Sequence, residues 1–501
     1  MVKSDIRLKY SGITVFASNI LSVATGLAFV LMITRNVSTE EFGIWGNIFD
    51  LFSYSILLSG VLPFWTTRFV VREHAGSAKT GFIGNIFISV VATSLYLALI
   101  PTVLSVLQIS SIYAVLYAVV SIQILEQYAV SALEAVLRAK QPHTIGYGLI
   151  ISEVCKVILG FALIIGLKLG LQGALYSIIV SYIIRMAFYI KLTAKELKES
   201  VRWSYLKEWL KVSPINIYSV VGNRIAAFTL IFLFVYGGKL ARGYHQAAAT
   251  FANVAGYSSL LAFALYPRLL SGSSNEDVST SLRLVMMFAI PMTAGVMILS
   301  DSYLTILGMN YSEARPVLLL LATSVLCLTL SQVFDAVVLG TEKVDAKAKI
   351  AFRELAKSRL FLLFTLPYIQ SAVTLPATFF VLTYIAKTSL EAATYLAFIT
   401  LLANSAMLIV KYAIARKCLI FHFPWNNISK YALASGIMTT VLFVVPHPTR
   451  LSTTVALTLL GGAIYLAVMM PIDKEAKSLV KSTLQEAMRI MKISKPQTNV
   501  S

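Results

Sequence analysis

Fourteen apolar stretches, most of them long enough to cross a bilayer, follow one another along this chain with little between them. A helix needs about 20 apolar residues to span ~30 Å of hydrocarbon, and lipid offers no partner to open backbone groups. The stretches run over 12–33, 42–62, 81–100, 112–133, 145–167, 171–190, 213–236, 244–266, 284–299, 316–339, 360–386, 392–410, 431–445 and 452–470. The ninth, thirteenth and fourteenth are short. No soluble domain of appreciable size fits between them. The chain reads as an all-α polytopic membrane protein with about 14 transmembrane helices, whose work is done inside the membrane.

Charge sets the orientation. Charged residues are 13% of 501 positions, about half the usual share for a soluble protein. A net charge of +19 invites a nucleic-acid reading, but the placement of the charge argues against one. With the amino terminus inside, cytoplasmic segments hold 32 of the 42 Lys and Arg residues. Seven lie outside (Arg35, Lys168, Lys239, Arg242, Arg315, Lys387, Arg450) and three within spans (Lys156, Arg185, Arg224). The positive-inside rule therefore puts both termini in the cytoplasm of a multi-pass cell-membrane protein. The excess cation faces anionic membrane lipids. The first stretch lacks a cleavage site and reads as a retained span.

The connections are short. That at 191–212 carries six basic residues, with Leu197, Val201, Tyr205 and Trp209 every fourth position, the pattern of an amphipathic helix lying on the inner membrane surface. A basic connection at 340–359 and an amphipathic stretch at 474–493 also read as cytoplasmic. All five tryptophans (Trp45, Trp65, Trp203, Trp209, Trp425) fall at span ends or on these segments, as an aromatic belt requires. Three pairs of features share an offset of about 200: Gly43-Ile44-Trp45 with Gly243-Tyr244-His245, Pro63 and Arg68 with Pro267 and Arg268, and Glu134-Ala135-Val136 with Asp335-Ala336-Val337. They suggest two parallel six-helix bundles, at 1–191 and 213–412, around a central cleft. A linker at 192–212 joins them, two accessory helices occupy 413–472 and a tail follows at 473–501. In such repeats the substrate site lies between the halves near the midplane.

Three motifs carry a family resemblance. Ser38-Thr39-Glu40-Glu41-Phe42-Gly43 resembles the entry to the second span of polysaccharide-biosynthesis flippases. Gly243-Tyr244-His245-Gln246-Ala247, running on to Leu265-Tyr266-Pro267-Arg268-Leu269, resembles their eighth span. Leu307-Gly308-Met309-Asn310-Tyr311-Ser312-Glu313-Ala314 resembles the approach to their tenth. These are Wzx-like members of the multidrug/oligosaccharidyl-lipid/polysaccharide exporter superfamily. Where many relatives carry Asp-Arg in the seventh span, this chain has Asn223-Arg224: the cation is kept and its acidic neighbour is lost. The resemblance implies a flippase that takes a sugar chain on a polyprenyl or dolichyl (di)phosphate from the inner to the outer leaflet. A lipid-linked glycan would be its substrate and a coupling cation a further partner, with no nucleic acid and no cofactor.

Ionisable residues within spans mark the candidate site, because a charge in hydrocarbon needs a partner or a cavity. Arg224 lies eleven residues into the seventh stretch, roughly 16 Å deep at the helical rise. It reads as a phosphate ligand or as half of a structural pair. Lys156 and Glu153, three apart, can neutralise each other or serve the substrate. Arg185 can snorkel or bind, and Arg68 is an anchor or an entry residue for the headgroup. Asp50 and Glu126 have no basic residue three or four positions away; each needs a partner on another helix, a proton or a cation. Glu134 and Asp335, near inner span ends, are water-contacting residues or gate residues. Pro291, Pro367 and Pro376 fall inside spans and allow bending.

A drug or metabolite exporter of the same superfamily is an alternative, though such exporters usually have twelve spans. A membrane-embedded polymerase or lipid-dependent glycosyltransferase is another. It would need a sizeable external loop with paired acids, and here the longest, about 301–315, has no Asp-x-Asp motif and no His cluster. The reading is non-enzymatic. Reporters fused after Gly340 and at the carboxyl terminus should both signal cytoplasm; an external signal at either overturns the orientation.

Overall fold

The computed structural model describes residues 8–71, 73–262, 265, 269, 275–341, 358–446, 449–473 and 477. Among them there is helix and no strand. Helix α1 (Leu8–Thr34) carries the first apolar stretch, and α2 (Thr39–Ser55) with α3 (Val61–Val71) the second. The third to sixth are α4 (Ser77–Val106), α5 (Ala114–Lys140), α6 (His143–Gly160) and α7 (Gly170–Leu197). A π-helical turn, Phe161–Gly166, extends α6. Beyond α8 (Trp203–Val212), the seventh comprises α9 (Pro214–Ala227), α10 (Thr229–Phe232) and the π-helical turn Leu233–Gly237. The eighth begins as α11 (Gly238–Ala252) and tightens into the 3-10 segment Asn253–Ala262. The ninth is α12 (Asn275–Ile298), followed by the short α13 (Ser300–Leu307). The last five are α14 (Arg315–Thr341), α15 (Arg359–Tyr384), α16 (Ser389–Cys418), α17 (Trp425–Val444) and α18 (Leu451–Ile472).

The second stretch is a correction: its helix breaks instead of running to residue 62. Proline clashes with the carbonyl four residues earlier and has no N–H to donate, so Pro63 disfavours a helix running through Ser59 and Gly60. It becomes the third residue of α3, where the N–H has no intrahelical partner to lose. Arg68 thus lies on a helix of its own, in the last turn of α3. At the other end, Ser38 starts α2 through a capping box. Its Oγ accepts from the Glu41 N–H at 3.1 Å, and the Glu41 carboxylate accepts from the Ser38 N–H at 2.9 Å. The Ser-x-x-Glu spacing of the motif is explained by this cap.

The chain forms two compact units: Met1–Ala247 with Phe364–Ile399, and Ala248–Leu363 with Thr400–Ser501. In the first, α5 packs against α3, α4 and α7, and α6 against α1 and α7. In the second, α12 packs against α14, α17 and the 3-10 segment, and α17 against α18. Tyr465 on α18 donates its hydroxyl to the Met287 carbonyl of α12 at 2.6 Å. Pro267 and Arg268, the connection at 342–357 and the stretch at 474–493 apart from residue 477 lie outside the described residues.

Helix α8 is a second correction, because its apolar stripe faces protein. Trp209 is 0% exposed, its ring 5.2 Å from Phe69 of α3 and 6.2 Å from Tyr205. Leu206 reaches Gly84 of α4, where a Cβ would lie 2.9 Å from its methyl. The Glu199 carboxylate accepts from the Gly76 N–H, and the Arg202 N–H donates to Thr80 Oγ1 at 2.8 Å. The spacing that marks a membrane-surface helix also marks one seated in a groove, and the small residues that make the groove lie far away in sequence. Trp45 and Trp209 are buried, whereas Trp203 and Trp425 are exposed. Trp209→Ala should therefore destabilise the purified protein by about 3–5 kcal/mol, read as a lower melting temperature in detergent. Trp203→Ala should leave it nearly unchanged.

Candidate functional site

The charges inside the spans are mostly paired. On α6, Lys156 Nζ donates to both Glu153 oxygens at 2.7 Å, and Thr25 of α1 donates its hydroxyl to the same carboxylate. Arg185 of α7 pairs with Glu134 of α5, and its Nε donates to Tyr189 Oη at 3.0 Å. Tyr189 in turn donates to the Ile145 carbonyl at 3.0 Å. Gly148 makes room for this ring, since a Cβ there would lie 2.1 Å from it. In the second unit, Lys411 of α16 donates to Asp335 of α14 at 2.8 Å.

Asp50 finds its partner on another helix, and the partner is one that sequence reading placed in an external loop. Arg242 lies on α11 and is 2% exposed. Its Nε and Nη2 donate to the two Asp50 oxygens at 2.8 and 3.0 Å, and Nη1 donates to Gln246 Oε1 at 2.8 Å. A bidentate guanidinium–carboxylate pair fixes relative orientation as well as charge. Glycines permit the approach. A Cβ on Gly46 would lie 2.8 Å from the Arg242 guanidinium carbon. One on Gly43 would lie 2.0 Å from the Lys239 carbonyl oxygen, and one on Gly243 would lie 2.3 Å from that of Thr39. The contact is reciprocal at an offset of 200: Gly43 against Lys239, Gly243 against Thr39. The openings of the second and eighth apolar stretches, matched in sequence, face each other here. The sequence signal for Arg242 was the glycine pair at 43 and 46; its burial was hidden by a short polar run around it.

Three candidates stand apart. Arg224, half-buried on α9, has no carboxylate at ion-pair distance among the described residues. Its backbone carbonyl accepts the Tyr54 hydroxyl at 3.1 Å, which ties α9 to α2. Glu126, in the middle of α5, is 4% exposed, and neither of its oxygens has a hydrogen-bond partner among the described residues. Arg68 is exposed, with its guanidinium carbon 4.5 Å from the Phe64 ring centre. The structure thus joins Lys156 to Glu153 and Arg185 to Glu134, gives Asp50 and Asp335 basic partners, and leaves Arg224, Glu126 and Arg68 without ionic partners among the described residues.

No protein-family model matches the chain, and no curated protein matches it. Solved structures do. The lipid II flippase MurJ in an inward closed conformation aligns with a TM-score of 0.65 at 16% identity, over 94% of this chain and 99% of that one. An inward-facing multidrug resistance MATE family transporter of the MOP superfamily aligns at 0.59 and 15% identity, over 79% and 94%. A mutant of the Vibrio cholerae MATE transporter VcmN aligns at 0.56 and 13%, over 82% and 96%. The chain shares the fold of these transporters, and among its described residues ten helices are long and apolar enough to cross a membrane, as in a multi-pass membrane protein.

The Asp50–Arg242 pair carries a test of its own. Asp50→Asn strands a buried guanidinium and should cost roughly 3–5 kcal/mol. Asp50→Leu combined with Arg242→Met should recover most of that, because replacing both partners removes the desolvation cost along with the attraction. Melting temperatures of the single and double variants check the cycle.

Proposed function

We propose that the protein is a flippase that moves a polyprenyl- or dolichyl-(di)phosphate-linked oligosaccharide from the inner to the outer leaflet of a cell membrane by alternating access. Both termini lie in the cytoplasm. The observation that carries the reading is Arg224. A cation well inside a span costs several kcal/mol unless an anion meets it. Lys156, Arg185, Arg242 and Lys411 each have a carboxylate of the protein; Arg224 has none among the described residues. Its anion comes with the substrate. A guanidinium suits this because its fork holds a phosphate bidentately.

In this reading the working halves are the repeats at 1–191 and 213–412, and the glycine-lined contact of α2 with α11 closes the outer side. Lys156 and Arg185 assist from the first half, held ready by Glu153 and Glu134. Glu126, a buried acid without a hydrogen-bond partner, is the position for a coupling proton or cation. Asp335 with Lys411 acts at the inner end of the second half. The superfamily's drug exporters share the fold, so drug export is the second reading. The lipid-linked substrate is favoured by extent: the MurJ alignment takes in 94% of the chain, against 79% and 82% for the two MATE structures. The sequence places two further spans, now α17 and α18, beyond the twelve of drug exporters.

Purified protein reconstituted in vesicles with a fluorescent polyprenyl-diphosphate oligosaccharide tests the proposal. Arg224→Ala should abolish transfer while expression and melting temperature stay near wild type. Arg224→Lys should keep a fraction of it, retaining charge without the fork. Normal transfer by the alanine variant sinks the assignment; loss of folded protein instead marks Arg224 as structural. Transfer of drug-like cations but of no lipid-linked sugar by the wild type selects the second reading.

A further inference from the structure

We infer that a cleft between α3 and α5 is a second, separate anion site that takes the phosphate of a lipid headgroup through Arg68 and Arg138. The cleft encloses about 390 Å³, within the ~300–1,000 Å³ usual for small-molecule sites. Arg68, Glu134 and Arg138 are the ionisable side chains that line it. Glu134 is already neutralised by Arg185 on the α7 side. The charge left to the cleft is that of the two guanidinium groups, and neither has a carboxylate partner among the described residues. Two like charges flanking one small space repel each other and attract an anion.

The rest of the lining fits a phosphate carried on a chain. Arg68 is held against Phe64 at 4.5 Å and lies 5.8 Å from the Trp65 ring centre, so its guanidinium is placed before any ligand arrives. Ser131 accepts from Gln127 Nε2 at 3.3 Å, which leaves its own proton free to donate. Thr67 spends its proton on the Ala135 and Pro63 carbonyls and closes the α3–α5 seam behind the cleft. Phe64, 42% exposed, gives an apolar wall beside Arg68 where the first carbons of a lipid chain can lie. Arg138 falls in the last turn of α5 and Arg68 in the last turn of α3, so the cleft opens where both helices leave the span. In the topology read from the sequence both helix ends face the cytoplasmic headgroups, the level of lipid phosphates. The site stands without the transport reading; only its role as a loading station for a flippase substrate rests on it.

Thermal shift on the full-length protein in detergent tests the inference, with inorganic diphosphate, farnesyl diphosphate and sulfate as probes. Farnesyl diphosphate should raise the melting temperature of the wild type and of Arg224→Ala alike. Arg68→Gln with Arg138→Gln should weaken apparent affinity roughly tenfold or more, from the loss of charged hydrogen bonds, and Arg68→Lys with Arg138→Lys should restore part of it. Inorganic diphosphate giving the same shift means that phosphate alone is read; a shift with the farnesyl compound only means that the lipid chain is read too. Both support the site. It is overturned if no phosphate probe shifts the wild type, if sulfate does as well as diphosphate, or if the double glutamine variant binds as tightly as the wild type. Loss of binding in Arg224→Ala with retention in the double glutamine variant would place the phosphate at Arg224 and also overturn it.

Discussion

A charge inside hydrocarbon must be answered by another charge, and this requirement organises the structure. The desolvation of a lone carboxylate or guanidinium amounts to several kcal/mol even after relaxation, more than a typical pair of helices gains by packing one side chain. The spans carry acids and bases anyway. Most are resolved into pairs that run from helix to helix: Glu134 of α5 with Arg185 of α7, Asp50 of α2 with Arg242 of α11, Asp335 of α14 with Lys411 of α16. Lys156 and Glu153 pair within α6 and take a hydroxyl from α1. Such pairs add little net stability. They select one register between two helices, because any slide separates the charges.

Register matters most where α2 meets α11. Two helices whose backbones touch have no side chains between them to absorb a misfit, so the contact exists in one alignment or not at all. Gly43 and Gly243 permit the touch, and the forked pair of Asp50 with Arg242 fixes its alignment. The reciprocal relation of the two glycines gives the contact the self-complementarity of a two-fold interface within a single chain. In the proposed transport cycle, a contact of this kind closes or parts as a whole.

How much of this was legible depends on the range of each signal. That the chain is helical and crosses a membrane many times was plain, because twenty apolar residues in a row have few alternatives in lipid. The cap at Ser38 and Glu41 could be read from four residues. The break in the second span was written in Gly60 and Pro63, but their effect acts backwards along the helix, so Pro63 read as an end when it is a beginning. The docking of α8 could not be read locally: Trp209 needs Phe69, and Leu206 needs the gap left by Gly84. Arg242 was lost for a similar reason. A run of Gly-Gly-Lys-Leu-Ala-Arg-Gly looks like a loop until another glycine-rich helix comes to meet it. The sequence could say that Asp50 needed a distant partner, and it has one. It could not say that Glu126 would have none among the described residues.

Arginines in a membrane protein therefore divide by what answers them. Arg185 and Arg242 are answered by carboxylates of the protein, and their positions are as fixed as the helices they join. Among the described residues Arg224, Arg68 and Arg138 are not, and the topology read from the sequence puts them at two different depths: one well inside the seventh span, two at the end of α3 and α5. A phosphate that crosses a membrane needs cations at both depths. With a partner only at the surface it would not leave, and with one only at the midplane it would not enter. In the proposed transport cycle, these cations, which have no carboxylate partner among the described residues, offer a graded path for one kind of anion. Ion pairs already satisfied within the protein compete little for such an anion.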